Sequence, residues 1–224
     1  MLKLETYQKE FADFLIASNA LKFCDFTLKS GRKAPYFINA GSFNTGVSMG
    51  KLGEFYASHI QRIDIATDII FGPAYKGIPL AVSTAIALAN KFNREVGVTF
   101  DRKEEKDHGD KGLFVGKALE DGKNIVIVDD VITAGTTFKR LIPVLKETCA
   151  LNITGIVVAV DRAEKGSGNL SAVQELQQDL GVSIYPILTI HQLVEYLSEE
   201  NSSGFILSDA QKKQIANYLA VYGA

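Results

Sequence analysis

Hydrophobic residues are spaced in two different ways along the chain. In some stretches they recur every three or four positions, as at Phe11, Phe14 and Leu15, and this spacing predicts helices with one buried face. Elsewhere they form short runs rich in valine and isoleucine, which predict strands buried on both faces. The predicted helices cover Thr6 to Ser18, Val47 to Arg62, Gly77 to Lys91, Phe138 to Cys149 and Leu170 to Leu180. The predicted strands cover Asp68 to Phe71, Glu95 to Phe100, Asn124 to Asp129, Ile153 to Val160 and Val182 to Leu188.

Buried strands that alternate with helices are typical of an α/β protein, with a mostly parallel sheet covered by helices on both faces. Before this core, Phe23 to Asn39 predicts a hairpin that turns at Gly31, and Pro35 suits an edge strand. After it, capping boxes that begin at Thr189 and Ser208 predict two further helices. We therefore expect one domain over 1–224, with a small hood (1–47), a core (48–198) and a helical tail (199–224) that serves as a packing element.

Two of the predicted helices have unusual sequences. Pro143 lies inside Phe138 to Cys149, and because proline lacks a backbone N–H we expect it to kink or shorten that helix. The longest apolar run, Ile78 to Asn90, is shorter than the roughly 20 residues that a membrane span requires. We interpret this run as a buried helix.

Composition and charge exclude several classes of protein. The 224 residues are 46% hydrophobic and 22% charged, which is ordinary for a globular domain and excludes a disordered chain. The 24 Lys and Arg residues nearly balance the 26 Asp and Glu residues, for a net charge of −2. Proteins that bind duplex nucleic acid usually carry a strongly basic domain, so we expect neither a nucleic-acid partner nor a membrane partner.

The cysteines and the N-terminus indicate a cytoplasmic protein. Cys24 and Cys149 lie far apart in the sequence and are interpreted as reduced, inert thiols. His59, His108 and His191 are scattered, so no zinc-ligand spacing occurs. The N-terminus has early acidic residues and no apolar segment typical of a signal peptide.

Two acidic residues follow a predicted strand and precede a phosphate-type loop. Asp129 and Asp130 end the run Ile125 to Val128, and the small residues up to Thr137 lead into a helix. Ligands of open α/β sheets bind beyond the carboxyl ends of the strands, and a helix N-terminus favours anions. The loop therefore fits a phosphate, and the two carboxylates fit diol hydroxyls or hydrated Mg²⁺.

Loops after two other strands also carry positive charge. The loop from Gly72 to Gly77 contains Lys76 and is either an anion-binding turn before a helix or an ordinary turn with a solvated lysine. Arg162 follows another strand. Its planar guanidinium suits a carboxylate or an amide-rich ring edge, although a salt bridge to Asp161 or Glu164 is equally compatible with the sequence.

The segment from Asp101 to Gly112 is highly charged. Ten of its twelve residues are charged or histidine, so we expect it to stay out of the core. It is either a solvated loop or a lid that closes over a polyanion with Arg102, Lys103, Lys106 and His108.

The usual nucleotide motifs are incomplete. None of the Gly-Lys pairs is followed by Ser or Thr, and the glycines at Gly166 and Gly168 are not completed to GxGxxG. A P-loop NTPase and a Rossmann dehydrogenase are therefore poor interpretations.

Four segments together resemble a known family. They are Ile125 to Thr137 (IVIVDDVITAGTT), Phe26 to Asn39, Phe71 to Pro79 and Arg102 to Gly109. The first resembles the phosphoribosyl diphosphate (PRPP) motif of type I phosphoribosyltransferases, and the other three narrow the resemblance to the orotate phosphoribosyltransferases. The similarity covers about residues 7–198 and implies the type I phosphoribosyltransferase fold. The implied reaction is Mg²⁺-dependent formation of orotidine 5′-monophosphate and diphosphate, within pyrimidine (UMP) biosynthesis.

The resemblance also implies roles for individual residues. PRPP would contact Lys29, Tyr75, Lys76, Arg102, Lys103, Lys106, His108, Asp129, Asp130, Val131, Ile132, Thr133, Ala134, Gly135, Thr136 and Thr137. Orotate would contact Phe37, Ile38, Thr133 and Arg162, with Arg162 on its carboxylate. Of these, Lys106, His108, Asp129 and Asp130 would act in catalysis. Mg²⁺ would have no direct protein ligand, being held by the diphosphate, ribose hydroxyls and water, with Asp129 or Asp130 as the nearest protein groups.

The resemblance further implies a homodimer in which the charged lid of one protomer completes the site of its partner. Ile38 stands where an aromatic residue is common in this family, so one face of the orotate pocket would lack ring stacking. Two alternatives stay open. One is a type I phosphoribosyltransferase for another base, which would have no need of Arg162. The other is a PRPP-sensing regulator on the same fold, for which an added DNA-binding domain or a basic face would be typical.

Overall fold

The computed structural model describes residues 4–28, 31–106, 112–132 and 135–224. Of residues 103–106 it describes the backbone only. The helices are α1 (Thr6–Ala17), α2 (Gly46–Arg62), α3 (Gly77–Phe92), α4 (Thr136–Thr148), α5 (Ala172–Leu180), α6 (Ile190–Tyr196) and α7 (Asp209–Tyr222). The strands are β1 (Leu21–Lys22), β2 (Phe26–Thr27), β3 (Lys33–Ala34), β4 (Phe37–Ile38), β5 (Ile69–Gly72), β6 (Gly97–Lys106), β7 (Gly112–Gly116), β8 (Asn124–Val131), β9 (Asn152–Asp161) and β10 (Ile184–Thr189).

A six-stranded sheet forms the centre, in the order β10-β9-β8-β5-β6-β7. Neighbouring strands are parallel from β10 to β6, and only the edge strand β7 is antiparallel to its neighbour among the described strands. The carboxyl ends of β5, β8 and β9 therefore meet at one edge of the sheet. This arrangement confirms the predicted α/β fold with a mostly parallel sheet.

Helices cover both faces of the sheet because successive residues of each strand point to opposite sides. Ile125 and Ile127 of β8 pack with α4 and α5, in a core that includes Leu145 and Leu176. Val126 and Val128 belong to the other core, with residues of α1, α2, α3, α6 and α7. Both layers were expected from the alternation of helices and strands.

The predicted hairpin near the N-terminus is present as two nested antiparallel pairs. β1 pairs with β4, and inside them β2 pairs with β3. Gly31 lies in the connecting turn with φ +80°, a conformation that glycine adopts without strain. This layer lies above the sheet edge and brings Ile38 toward the carboxyl end of β9.

The expectation for Asp101 to Gly112 was wrong in its first half. β6 continues to Lys106 and pairs with β7, a strand that the hydrophobic pattern did not predict. Within the charged segment the pairing joins Asp101 to Phe114 and Lys106 to Gly112, with an irregularity in register between these two pairs. Phe114 of β7 also packs edge-on against Phe71, with ring centroids 5.8 Å apart. Asp101 is buried, with 2% of its surface exposed, although a charged segment was expected to stay out of the core.

Two expectations for helices differ from the structure. α4 starts at Thr136, two residues earlier than predicted, and continues for 13 residues through Pro143 to Thr148, so proline does not shorten it. Its buried apolar side, which includes Phe138 and Leu145, offsets the lost hydrogen bond. α3 is not buried all round, because Val82 and Ile86 are 40% and 55% exposed.

The tail packs on the core as predicted. Ile215 and Tyr218 of α7 are 1% and 6% exposed.

Cys24 and Cys149 are free thiols, and Cys24 lies on the surface. Among the described residues, no helix combines the length and the apolar character that crossing a bilayer requires.

Candidate active site

The acidic pair at the end of β8 is held in a fixed position. The backbone N–H of Asp130 donates to Asp129 Oδ1 over 2.9 Å, and the N–H of Val131 donates to Asp130 Oδ1 over 2.8 Å. The buried hydroxyl of Tyr56, from α2, donates to the carbonyl oxygen of Asp129 over 2.7 Å. Both carboxylates are thereby oriented at the sheet edge before any ligand binds.

The two carboxylates have different electrostatic surroundings. Burial, and secondarily the neighbouring charge of Asp130, raise the pKa of Asp129 to about 7. Asp130 instead forms an ion pair with Lys76, whose Nζ lies 2.8 Å from Asp130 Oδ2, and this hydrogen bond raises the pKa of Lys76. The pair therefore carries one carboxylate balanced by a lysine and one that binds a proton near neutral pH.

The N-terminus of α4 lies at the same edge and, within the residues that the structure describes, has no side-chain cap. Its N-cap residue, Gly135, has φ +67° and no side chain to cap the helix. A Cβ at this position would lie 2.6 Å from a methyl carbon of Leu176, so glycine suits both the left-handed conformation and the limited space. The first-turn N–H groups, from Thr136 and Thr137 onward, are therefore available to an anion.

The loop after β5 is fixed by a buried acid. Gly72 and Gly77 approach so closely that a Cβ on Gly72 would lie 2.1 Å from the carbonyl oxygen of Gly77. The N–H of Ala74 donates to Asp101 Oδ1 over 2.7 Å, and Arg140 donates to Asp101 Oδ2 over 3.1 Å. Asp101 thus ties together β6, α4 and the loop that carries Lys76.

A cavity of about 640 Å³ joins the phosphate-type loop to the end of β9. Its lining includes Val131 and Ile132, which precede the phosphate-type loop, and also Ile38 and Arg162. Arg162 lies over the ring of Tyr36, with 4.5 Å from its guanidinium carbon to the ring centroid.

Arg162 is also ion-paired inside this cavity. Its Nε and Nη2 donate to Glu164 Oε1 over 2.9 and 2.5 Å. The salt bridge that the sequence left open is therefore present, and the arginine still faces the cavity.

The remaining predicted site residues fall in several places. Tyr75 is 66% exposed, and Arg102 lies on β6, where its Nη1 is 3.5 Å from the carbonyl oxygen of Gly112. Phe37 stacks on Phe26 with ring centroids 3.8 Å apart. For Lys103 and Lys106 only the course of β6 is described. Lys29, His108, Thr133 and Ala134 lie outside the described residues.

Sequence reasoning missed three residues that shape the site: Asp101, Tyr36 and Tyr218. Asp101 was grouped with the solvated segment, and the two tyrosines lie in the hood and in the tail. The usable signal was the position of Asp101 directly after the predicted strand Glu95 to Phe100, because Asp129 likewise comes directly after the apolar run Ile125 to Val128. Within the described part of the chain, no group of three or more His, Cys, Asp or Glu side chains is arranged to hold a metal ion.

Comparisons with known proteins agree with this geometry. Residues 46–179 match the phosphoribosyl transferase domain, and the chain belongs to the phosphoribosyltransferase family. It is 48% identical over 230 residues to an orotate phosphoribosyltransferase of Bifidobacterium animalis subsp. lactis, covering 98% of this chain and 99% of the relative. The orotate phosphoribosyltransferase of Clostridium acetobutylicum is 45% identical over 222 residues, covering 98% of this chain and 99% of that one.

A solved structure places the chain in the same branch of the family. The orotate phosphoribosyltransferase of Francisella tularensis superposes with a TM-score of 0.84 at 38% identity, covering 96% of this chain and all of the other. Within the phosphoribosyltransferases, the chain is thus a member of the orotate phosphoribosyltransferase group, as its sequence motifs predicted.

Proposed function

We propose that the chain transfers the ribose 5-phosphate of PRPP to orotate, yielding orotidine 5′-monophosphate and diphosphate for UMP synthesis in the cytoplasm. The observation that carries this proposal is a single cavity with two chemically different parts. Val131 and Ile132 bring it to the open N-terminus of α4, which suits a phosphate. Arg162 lines its other part and suits the carboxylate of orotate.

The substrate contacts follow from this division. The 5-phosphate of PRPP binds the loop from Asp129 to Thr137, including Thr133 and Ala134, and the ribose hydroxyls meet Asp129 and Asp130. Tyr75 and Lys76 meet the diphosphate, which Lys29 approaches from the hood. Orotate lies against Ile38 and Phe37, within reach of Thr133.

The reaction needs no covalent enzyme intermediate. The bond from the ribose anomeric carbon to the diphosphate oxygen breaks, and the bond to the orotate nitrogen forms as that nitrogen loses its proton, which the departing diphosphate can accept. Positive charge develops on the ribose and is favoured by the carboxylates of Asp129 and Asp130. Negative charge develops on the diphosphate and is stabilised by lysine and arginine side chains. Catalysis then consists mainly of positioning and electrostatic stabilisation.

Mg²⁺ fits the donor atoms of this site. Carboxylate oxygens such as those of Asp129 are hard ligands, and Mg²⁺ in phosphate sites usually keeps several waters and substrate oxygens. When bound, the ion supplies positive charge to the departing diphosphate. The protein groups that we assign near it are Asp129 and Asp130, through water or the ribose hydroxyls.

The charged hairpin of β6 and β7 is proposed to act as a lid across a homodimer, bringing Arg102, Lys103, Lys106 and His108 to the partner's diphosphate. Exposed apolar side chains offer a surface for such an interface. Val82 and Ile86, one turn apart on α3, are 40% and 55% exposed, and Val47 at the start of α2 is 86% exposed. Adjacent apolar residues on one helix face are typical of contact surfaces.

An absorbance assay tests the proposed function. The protein is mixed with Mg²⁺ and PRPP, and the loss of orotate is followed beside parallel reactions with uracil, adenine and hypoxanthine. We expect consumption of orotate alone, because the other bases offer Arg162 no carboxylate. Activity only with another base would overturn the assignment of the base pocket. Binding of PRPP without any turnover would identify a regulator.

A further inference from the structure

The C-terminal helix reaches the base-binding part of the cavity through one carboxylate. Glu164 Oε1 accepts a hydrogen bond from the Tyr218 hydroxyl over 2.9 Å and from Arg162 Nε over 2.9 Å. The hydroxyl of Tyr36 lies 3.4 Å from the same oxygen. Tail, hood and the end of β9 therefore meet at a single atom.

The main chain holds the same junction. The N–H of Lys165 donates to the carbonyl oxygen of Tyr222 over 2.7 Å, and the N–H of Ala224 donates to the carbonyl oxygen of Ala163 over 2.9 Å. Ala163 has φ +50°, a strained conformation that persists only where surrounding contacts impose it. The end of the tail is thus part of what shapes the loop directly after Arg162.

Burial makes this network sensitive to the loss of one member. The side chains of Arg162 and Glu164 are only 10% and 14% exposed, so water cannot readily replace a missing partner. Removing a hydrogen-bond donor from a buried carboxylate leaves it free to move and incompletely satisfied. Glu164 engages Nε and Nη2 of Arg162, while a guanidinium carries five N–H groups, so others can serve a ligand.

We propose that Tyr218 is a positioning residue for the base. Its hydroxyl orients Glu164, and Glu164 in turn holds the Arg162 guanidinium where it meets the carboxylate of orotate. This inference rests on the proposed function, and it assigns a role to the helical tail that lies outside the matched domain at residues 46–179.

The test compares two substitutions on the same helix. Tyr218→Phe removes the hydroxyl that reaches Glu164 and keeps the ring. Tyr222→Phe is the matched control, because the Tyr222 hydroxyl makes no hydrogen bond to any described residue, whereas its ring lies against Tyr218 and Arg32. KM and kcat for orotate and for PRPP are measured for both variants, together with thermal melting.

We expect Tyr218→Phe to raise KM for orotate about 3- to 10-fold, with KM for PRPP close to that of Tyr222→Phe and a modest fall in melting temperature from the lost buried hydrogen bond. A merely structural role would instead change both KM values together. If Tyr218→Phe does not fold, Tyr36→Phe removes the other hydroxyl near Glu164 and is expected to raise KM for orotate in the same selective way.

Three results would overturn the proposal while leaving the proposed function intact. They are unchanged orotate kinetics in Tyr218→Phe, an equal change for both substrates, or a lowered KM for orotate, which would show that Glu164 competes with the base for Arg162. Failure of the proposed function is distinguishable, because the unsubstituted protein would then not consume orotate at all.

Discussion

The phosphate part and the base part of the cavity are built in different ways. The phosphate part lies on one strand-loop-helix unit, β8 to α4, and each carboxylate of its acidic pair accepts the N–H of the next residue. The base part brings together Ile38 of the hood, Arg162 at the end of β9 and Tyr218 of the tail. Tyr36 and Arg162 are separated by 126 positions in the sequence, yet their side chains are stacked.

This difference has a functional consequence. A local unit keeps its geometry as long as its own strand and helix form, whereas an assembled pocket depends on contacts from distant elements. Substitutions in the base part should therefore change recognition of the base while leaving recognition of PRPP intact.

The largest expected effect follows from Arg162→Ala. Losing a buried, charge-assisted contact to the substrate carboxylate should lower kcat/KM for orotate by about 10²- to 10³-fold. Binding of PRPP, measured by calorimetry, should stay within about twofold of normal. Parallel loss of PRPP binding would contradict the separation of the two parts. Arg162→Lys serves as a control that keeps the charge without the planar fork.

Lys106→Ala tests the lid. Removing a cation that meets the developing charge of the diphosphate should lower kcat by about 10²-fold, while the protein folds and binds PRPP. Lys117→Ala is the matched control, because Lys117 is an exposed lysine just after β7. A normal kcat for Lys106→Ala would remove the lid from the mechanism.

Mixing the two inactive variants tests whether the lid acts across a dimer. A hybrid of Arg162→Ala and Lys106→Ala protomers has one site with an intact pocket and an intact partner lid. If the protomers of an equal mixture exchange at random, half of the dimers are hybrids. The mixture should then regain about a quarter of the normal activity. A lid that acts within its own protomer would restore none.

The sequence predicted the phosphate part better than the base part for a physical reason. Asp129, Asp130 and the small residues after them carry their chemistry in consecutive positions, so that a parallel sheet places them at one edge. Asp101 was misassigned because its burial depends on β7, which pairs with β6 from beyond the charged segment. The contact between Tyr218 and Glu164 has no local signal, since it exists only after α7 has packed.

The smallest expected effect concerns the stability of the phosphate part. The pKa of Asp129 is about 7 in the folded chain and 3.8 ordinarily. A raised pKa means that the folded state takes up a proton between these values, so Asp129 costs stability increasingly as pH rises from about 4 to 7. Asp129→Asn removes this cost while keeping an oxygen for the Asp130 N–H. Above pH 7 it should stabilise the protein by at least about 1 kcal/mol, a rise of roughly 2–4 °C in melting temperature.

Melting measured from pH 4 to 8.5 checks this expectation, and the gain should shrink as the pH falls toward 4. Asp130→Asn is the control, because Asp130 is already paired with Lys76 and its loss should give no comparable gain. Equal melting temperatures of Asp129→Asn and the unsubstituted protein at pH 8 would contradict the argument.

We also expect Asp129→Asn to lose activity with orotate, because the neutral amide no longer favours positive charge on the ribose. A carboxylate that destabilises the fold while it serves the reaction would show that the phosphate part, although locally encoded, is strained for function.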